Sequence, residues 1–276
     1  MYKNLIFSGG GVKGYLFLGV FKYLEENNLI KDVKSIAGTS IGSLFALCFV
    51  LKYSFDDLYK IFIKINLMEN IDAFNGDIFT KFMTKYGIES GENLVRIAKI
   101  FIKYKTENED VTFKDLYKYN NVDLRISATC VNDMDCVIFD HTTHPDVKVV
   151  DVLRMSVSVP FFFEPVSFSD KLYVDGGLTN NYPIEIYKEE IKETLGFLIT
   201  NKTKSEKIEN VEQYILCILK STLSYIDYCK MREFKKNTIL LFDDTGVLNL
   251  DITNEKKDQM VELGYQKTLE FFKKNN

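Results

Sequence analysis

Histidine is almost absent from this chain: His141 and His144 are the whole complement in 276 residues. A hydrolase triad in the order Ser, Asp/Glu, His needs its histidine after its acid. No histidine follows Asp175, the acid singled out below. Asp135 or Asp140 could pair with His144, but acids within a few residues of the ring leave no separate loop to orient it. The five cysteines (Cys48, Cys130, Cys136, Cys217 and Cys229) contain no C-x-x-C pair. That speaks against a disulfide framework or a zinc site and for reduced thiols in an intracellular protein. There is no basic excess: 35 Lys and Arg against 39 Asp and Glu give a net charge of −4, so nucleic acid is not expected as a partner. The longest apolar run, Ile41 to Leu51, is too short to span a bilayer, and the N-terminus has no signal-peptide layout. The expectation is a cytoplasmic protein that meets membranes peripherally. Internal repeats, Pro- or Ser-rich linkers and charged tails are also missing, so residues 1–276 read as a single domain.

The remaining pattern is that of an α/β protein. Residues 4–7 read as a buried strand running into a glycine loop, and Tyr15 to Glu26 as a helix with Leu16, Val20, Tyr23 and Leu24 at helical spacing. Val33 to Ala37 reads as a second strand and Ile41 to Lys52 as a second helix. Strand, tight turn, helix, twice over, implies a parallel sheet with helices on its faces. Residues from about 54 to 118 hold amphipathic stretches (Asp56 to Ile65, Gly91 to Tyr104) and few strand signals, which predicts a helical cap insertion with a mobile middle at Asn66 to Gly76. Leu124 to Val131 and Asp135 to Phe139 read as strands with a hairpin-type turn at Asn132-Asp133. Val149 to Ser158 reads as a helix ending before Pro160, and Leu172 to Val174 as a strand leading into Asp175. Strands at Gly196 to Thr200 and Thr238 to Phe242 flank a long helical stretch, Val211 to Phe234. Asn254 to Lys273 closes the chain as an amphipathic helix capped by Thr253 or Asn254. The predicted architecture is a three-layer α/β/α domain with a mainly parallel central sheet.

Three short motifs carry the chemistry, and each has a plain alternative. Gly9-Gly10-Gly11-Val12-Lys13-Gly14 fits G-x-G-x-x-G. A dinucleotide fold would place an acid about 20 residues on, at the end of the next strand, where this chain has Ala37-Gly38-Thr39-Ser40. The other use of such a loop is to aim backbone N–H groups at a developing oxyanion. Lys13 would add charge there or simply pair with a carboxylate. Gly38-Thr39-Ser40-Ile41-Gly42 fits G-x-S-x-G between strand and helix. It is either a nucleophile on a strained elbow or a helix N-cap serine. Asp175-Gly176-Gly177 is either an Asp-Gly hairpin turn or the seat of a general base.

In this order and context the three motifs resemble those of the patatin-like phospholipases. The likeness continues through Ser156-Val157-Ser158-Val159-Pro160, Phe163-Glu164-Pro165-Val166 and Asp175-Gly176-Gly177-Leu178-Thr179-Asn180-Asn181-Tyr182-Pro183. It covers about residues 4–200, and Leu248 to Tyr265 as well. Ser8 stands where some members begin the first motif with Asp. The resemblance implies Ser40 as nucleophile, Asp175 as its partner in a dyad, and an oxyanion hole in the Gly9 to Gly14 loop, centred on Gly10, Gly11 and Val12. It implies no calcium, no other metal and no cofactor. The implied substrate is a phospholipid or another acyl lipid, with an activator such as a partner protein or a lipid surface left open. A serine esterase or acyltransferase acting on a soluble ester would use the same residues, and a non-catalytic lipid binder would share the fold. Of Phe161-Phe162-Phe163, at least one is expected in the core and the others are candidates for an acyl-chain wall. Cys48 is expected as a buried small hydrophobe.

Overall fold

The computed structural model describes residues 2–64, 78–200, 208–209, 211–246 and 252–275. The Asn66 to Gly76 stretch lies outside them, as does the start of the Leu248 to Tyr265 segment. The chain runs β1 (Asn4–Phe7), α1 (Tyr15–Glu26), β2 (Ser35–Thr39) and α2 (Ile41–Val50), then four helices: α3 (Phe55–Lys64), α4 (Ile78–Lys85), α5 (Glu92–Thr106) and α6 (Phe113–Asn120). It continues through β3 (Asp123–Cys130), β4 (Asp135–Phe139), α7 (Val149–Ser156), β5 (Val166–Phe168), β6 (Lys171–Asp175) and the short α8 (Gly177–Asn180). A 3-10 segment at Ile184–Glu193, β7 (Thr194–Thr200), α9 (Val211–Glu233), β8 (Thr238–Phe242) and α10 (Asn254–Asn275) follow.

The strands form one sheet in the order β5-β6-β3-β2-β1-β7-β8, with β4 also on β3. The run from β3 to β8 is parallel; β4, β5 and β6 add antiparallel pairings. Strands covered on both faces need apolar side chains on both. Leu5, Phe7, Ile36 and Phe197 accordingly face the larger core with α1, α2, α3, α5 and α10, while Ile6, Ala37 and Leu198 face Tyr182, Ile184, Tyr187 and Phe234. This is the mixed α/β architecture that the strand–turn–helix repeats imply. Helix α2 is buried along its whole length, which its unbroken apolar run requires. Phe62 of α3 and Phe101 of α5 stack at 5.6 Å, and Phe62 stacks on Phe45 of α2 at 4.9 Å. Helices α3, α5 and α6 of the 54–118 region thus share the main core.

Several boundaries differ from the sequence reading. β2 ends at Thr39, not Ala37, because Gly38 and Thr39 still pair with Ile126 and Ser127. The β3–β4 loop runs from Val131 to Met134, wider than a turn on Asn132-Asp133 alone, and Asn132 Oδ1 instead accepts a hydrogen bond from Leu172 N at 2.7 Å. β5 was not anticipated. It is short and pairs with β6 across Ser169-Asp170, both at positive φ (50° and 60°), as a primed hairpin turn requires. Among the described residues no helix is long and apolar enough to cross a membrane.

Candidate active site

Sheet register brings the second and third motifs together. β4 occupies one edge of β3 from Ile126 to Cys130. β2 pairs with β3 as far as Thr39↔Ser127, and β6 pairs from Tyr173↔Cys130 down to Asp175↔Ala128. Since β4 already holds one edge there, β2 and β6 share the other and run toward each other along it. Their carboxyl ends meet at adjacent register positions, so Ser40, just past Thr39, adjoins Asp175.

Ser40 has φ 53° and ψ −130°, a conformation that only glycine adopts without strain. The turn is held from several sides. Ser40 N donates to the hydroxyl of wholly buried Ser156 at 2.8 Å, and Ser43 N donates to Ser40 O at 2.9 Å. Gly42 is needed for space: a Cβ there would lie 2.3 Å from Phe7 O and 2.4 Å from Ser8 O. Ile41 and Gly42 begin α2, whose N-terminal amides favour negative charge beside Ser40. Removing the Ser156 hydroxyl leaves a buried N–H unpaired. Ser156→Ala is therefore expected to cost about 1–3 kcal/mol in a denaturant melt and to lower turnover by loosening the elbow. A variant as stable and as active as wild type would show that this hydrogen bond does not hold the turn.

Asp175 ends β6 with its carboxyl buried. Oδ1 accepts from Gly177 N at 2.6 Å. Oδ2 is buried without a hydrogen-bond partner in this geometry. Burial pushes the carboxyl up to about 6, offset in part by the Ser40 hydroxyl and the Gly177 amide. Thr129 Oγ1 donates to Asp175 O at 2.9 Å, and Asp175 N donates to Ser158 O at 2.8 Å. The chain does not reverse here as a hairpin. Gly176 is helical (φ −60°) and leads into α8. Its missing Cβ serves space rather than dihedral freedom, since one would lie 2.4 Å from Ser127 O.

The first motif closes the site from the end of β1. Gly11 sits at φ +56° and starts a 3-10 turn over Gly11–Gly14. Two of the loop amides are occupied within the chain: Gly9 N donates to Asn181 O at 3.2 Å and Lys13 N to Gly10 O at 3.2 Å. The amides of Gly11 and Val12 head the turn, where N–H groups have no intrahelical acceptor. Gly11 and Val12 share with Ser40 the wall of a narrow cleft, lined mostly by apolar groups such as Leu44, Leu94, Val95, Leu153 and Phe163. The Lys13 and Gly14 side of the loop faces inward and is buried, Gly14 against Ile41 and Phe45. Of the three phenylalanines, Phe163 is buried on the cleft wall and Phe161 is 45% exposed.

Among the described residues neither histidine ring hydrogen-bonds Ser40 or Asp175. His141 Nδ1 is 2.5 Å from Asp123 Oδ1, at the opposite end of β3, about 13 Å down the strand from Ser127. His144 packs on Phe139 and bonds the Thr143 hydroxyl. Asp140 accepts from Thr142 and Thr143 instead of from a histidine. Arg154 on the cleft wall was not singled out by sequence. Its guanidinium donates to the carbonyls of Ser90 and Glu164 (2.9 Å each) and to the Ser158 hydroxyl, and burial draws it down to about 10. It ties the start of α5 to the segment before β5. No short motif marks it, nor Ser156 as the anchor of the elbow.

The family model of patatin-like phospholipases matches residues 5–187, so this chain belongs to that family. It is 28% identical over 277 residues to R571, an uncharacterized protein of Acanthamoeba polyphaga mimivirus, across 95% of this chain and 91% of the other. It is 29% identical over 187 residues to a probable lipid hydrolase, 463L, of Invertebrate iridescent virus 6, across 67% of this chain and 63% of the other. Among solved structures, VipD from Legionella pneumophila superposes with a TM-score of 0.70 at 16% identity, over 99% of this chain and 67% of that one. At that identity the likeness speaks for the fold alone. The family's general activity, hydrolysis of acyl lipids, goes with membership.

Proposed function

We propose that the protein cleaves fatty-acyl esters of phospholipids, as a calcium-independent phospholipase A or lysophospholipase, through a Ser40–Asp175 dyad and an acyl-enzyme. One observation carries this reading. A buried carboxylate with an unpartnered oxygen adjoins a strained serine at the floor of an apolar cleft. Ser40 Oγ attacks the ester carbonyl carbon, and its proton passes to Asp175 Oδ2. The carbonyl oxygen becomes an oxyanion held by the amides of Gly11 and Val12, with Gly10 beside them. Collapse expels the alkoxide, which takes the proton from Asp175 and leaves an acyl group on Ser40. Water then attacks the acyl carbon, giving a proton to Asp175. The second tetrahedral intermediate releases Ser40, which recovers that proton, and the free fatty acid. The apolar wall suits an acyl chain.

Peripheral membrane contact belongs to the same reading, with the cytoplasm as the expected compartment. Val159 and Phe163 of the cleft wall flank Phe161 in the chain, Phe161 packs on Phe82 of α4 at 6.0 Å, and Met83 and Tyr86 close to Phe82 in sequence are exposed. An apolar rim of this kind would let a lipid leave the bilayer directly into the cleft. Fatty-acid release from mixed phospholipid vesicles in EDTA, wild type beside Ser40→Ala, tests the proposal. Release by wild type alone is expected. If neither releases fatty acid but a fluorophosphonate labels Ser40, the nucleophile is live, and either the ester is not a phospholipid or an activator is required. If nothing is labelled, the dyad reading fails.

A further inference from the structure

We propose that Asp227 of α9 is a positioning residue: by gripping the Asn181 side chain it keeps the glycine loop and the acid turn in register. The kinetic part of this inference rests on the dyad reading; the structural part does not. Asn181 follows α8 and touches both glycine motifs. Its carbonyl accepts the Gly9 amide at 3.2 Å. Its side-chain Oδ1 fills the space beside two glycines: a Cβ on Gly9 would lie 2.3 Å from it and one on Gly177 3.2 Å from it. The carboxamide is therefore a wedge between the loop that carries Gly11 and the turn that carries Asp175.

An amide side chain has a donor end and an acceptor end, and nothing in its shape says which should face the glycines. Asp227 decides. Asn181 Nδ2 donates to Asp227 Oδ2 at 2.7 Å. A carboxylate only accepts, so the NH₂ must face α9 and Oδ1 must face Gly9 and Gly177. The other carboxylate oxygen, Asp227 Oδ1, is buried without a partner, an arrangement that costs stability. Burial also pushes the Asp227 carboxyl up to about 6. A group kept at such a cost fits a role beyond packing. One turn further along α9, Lys230 grips the neighbouring residues. It donates to Asn180 Oδ1 and to Tyr182 O (3.1 Å), and pairs with Glu185 at 2.9 Å. Asp227 and Lys230 of α9 thus hold the segment that follows the acid turn, through the Asn180, Asn181 and Glu185 side chains and the Tyr182 carbonyl.

Hydrogen exchange of the Ser8–Gly14 and Asp175–Asn181 segments, read by mass spectrometry, tests this together with steady-state kinetics on a soluble p-nitrophenyl ester. Asp227→Ala is expected to speed exchange in both segments about fivefold or more and to lower kcat about 10-fold with KM within twofold, since displaced oxyanion donors act on the transition state. Asp227→Asn keeps a carbonyl acceptor for Asn181 Nδ2 and should stay within about threefold of wild type in all three readings. Asn181→Ala removes the wedge from the other side and should reproduce Asp227→Ala, which covers the case in which Asp227→Ala does not fold. Unchanged exchange in folded Asp227→Ala or Asn181→Ala, unchanged kcat in an active enzyme, or an Asp227→Asn protein as impaired as the alanine variant would overturn the proposal. A wild type that neither hydrolyses esters nor reacts with a fluorophosphonate would sink the dyad reading, while the exchange rates would still decide whether Asp227 holds the two motifs together.

Discussion

Ser40→Ala should lower turnover on any ester substrate by about 10⁴-fold or more, with the melting temperature within a few degrees of wild type. The elbow is built by groups other than the hydroxyl: the Ser156 hydroxyl on Ser40 N, the Ser43 amide on Ser40 O, and the missing Cβ of Gly42. Alanine keeps all of these and also keeps the strain at φ 53°, ψ −130°. Ser40→Gly removes that strain. It should be more stable than the alanine variant by about 1 kcal/mol, the relief exceeding glycine's extra freedom in the unfolded chain. The pair of variants therefore separates two properties of one residue, a nucleophile and a strained turn. Mass spectrometry after fluorophosphonate treatment, beside hydrolysis of vesicles, reads the first; denaturant melts read the second. A folded Ser40→Ala protein with a tenth of wild-type activity would end the nucleophile assignment.

The elements near the motifs were legible from sequence for a physical reason. β1, α1, α2 and β7 are buried on nearly every side, so their apolar runs are dense, and the glycine loop marks where β1 gives way to α1. What was not legible depends on partners distant in sequence. β5 exists only because Lys171–Asp175 offers it an edge, and its three residues carry too little pattern to announce a strand. Gly38-Thr39 stays extended because β3 continues beside it. The glycine motifs and the family resemblance point to Ser40 and Asp175 as the proposed pair, but the local sequence gives no physical reason why the two should meet. That follows from β2 and β6 sharing one edge of β3, and β4 filling the other. Asp175-Gly176 reads locally as a hairpin turn, and the helical φ of Gly176 is set instead by packing under Ser127 O. The supporting roles of Ser156, Arg154, Asn181 and Asp227 rest on hydrogen bonds to partners distant in sequence, which leave no periodic trace in the chain.

Asp175→Asn is expected to move activity and stability in opposite directions. An amide cannot take the Ser40 proton, so kcat should fall by about 10³- to 10⁴-fold. Stability follows from the carboxyl pKa, raised by burial from 3.8 to about 6. Between those two values the folded state binds more proton than the unfolded chain, so stability falls as pH rises through that window and levels off above about 6. Above it, the ionised carboxylate costs wild type about 2–3 kcal/mol relative to the neutral acid. Asparagine is neutral at every pH and can still accept the Gly177 amide, which lies at 2.6 Å in wild type. Denaturant melts should therefore show Asp175→Asn more stable than wild type at pH 8, with the difference shrinking toward pH 4. The same group sets the activity profile: kcat/KM of wild type should fall as pH drops through about 6, where the base becomes protonated. His144→Ala should leave that profile in place, because its ring packs on Phe139 and bonds the neighbouring Thr143 hydroxyl. An Asp175→Asn enzyme that kept most of its activity while His144→Ala lost it would replace the dyad with a triad. An asparagine variant less stable than wild type at pH 8 would show instead that the carboxylate is held by favourable contacts rather than kept, at a cost, for its proton chemistry.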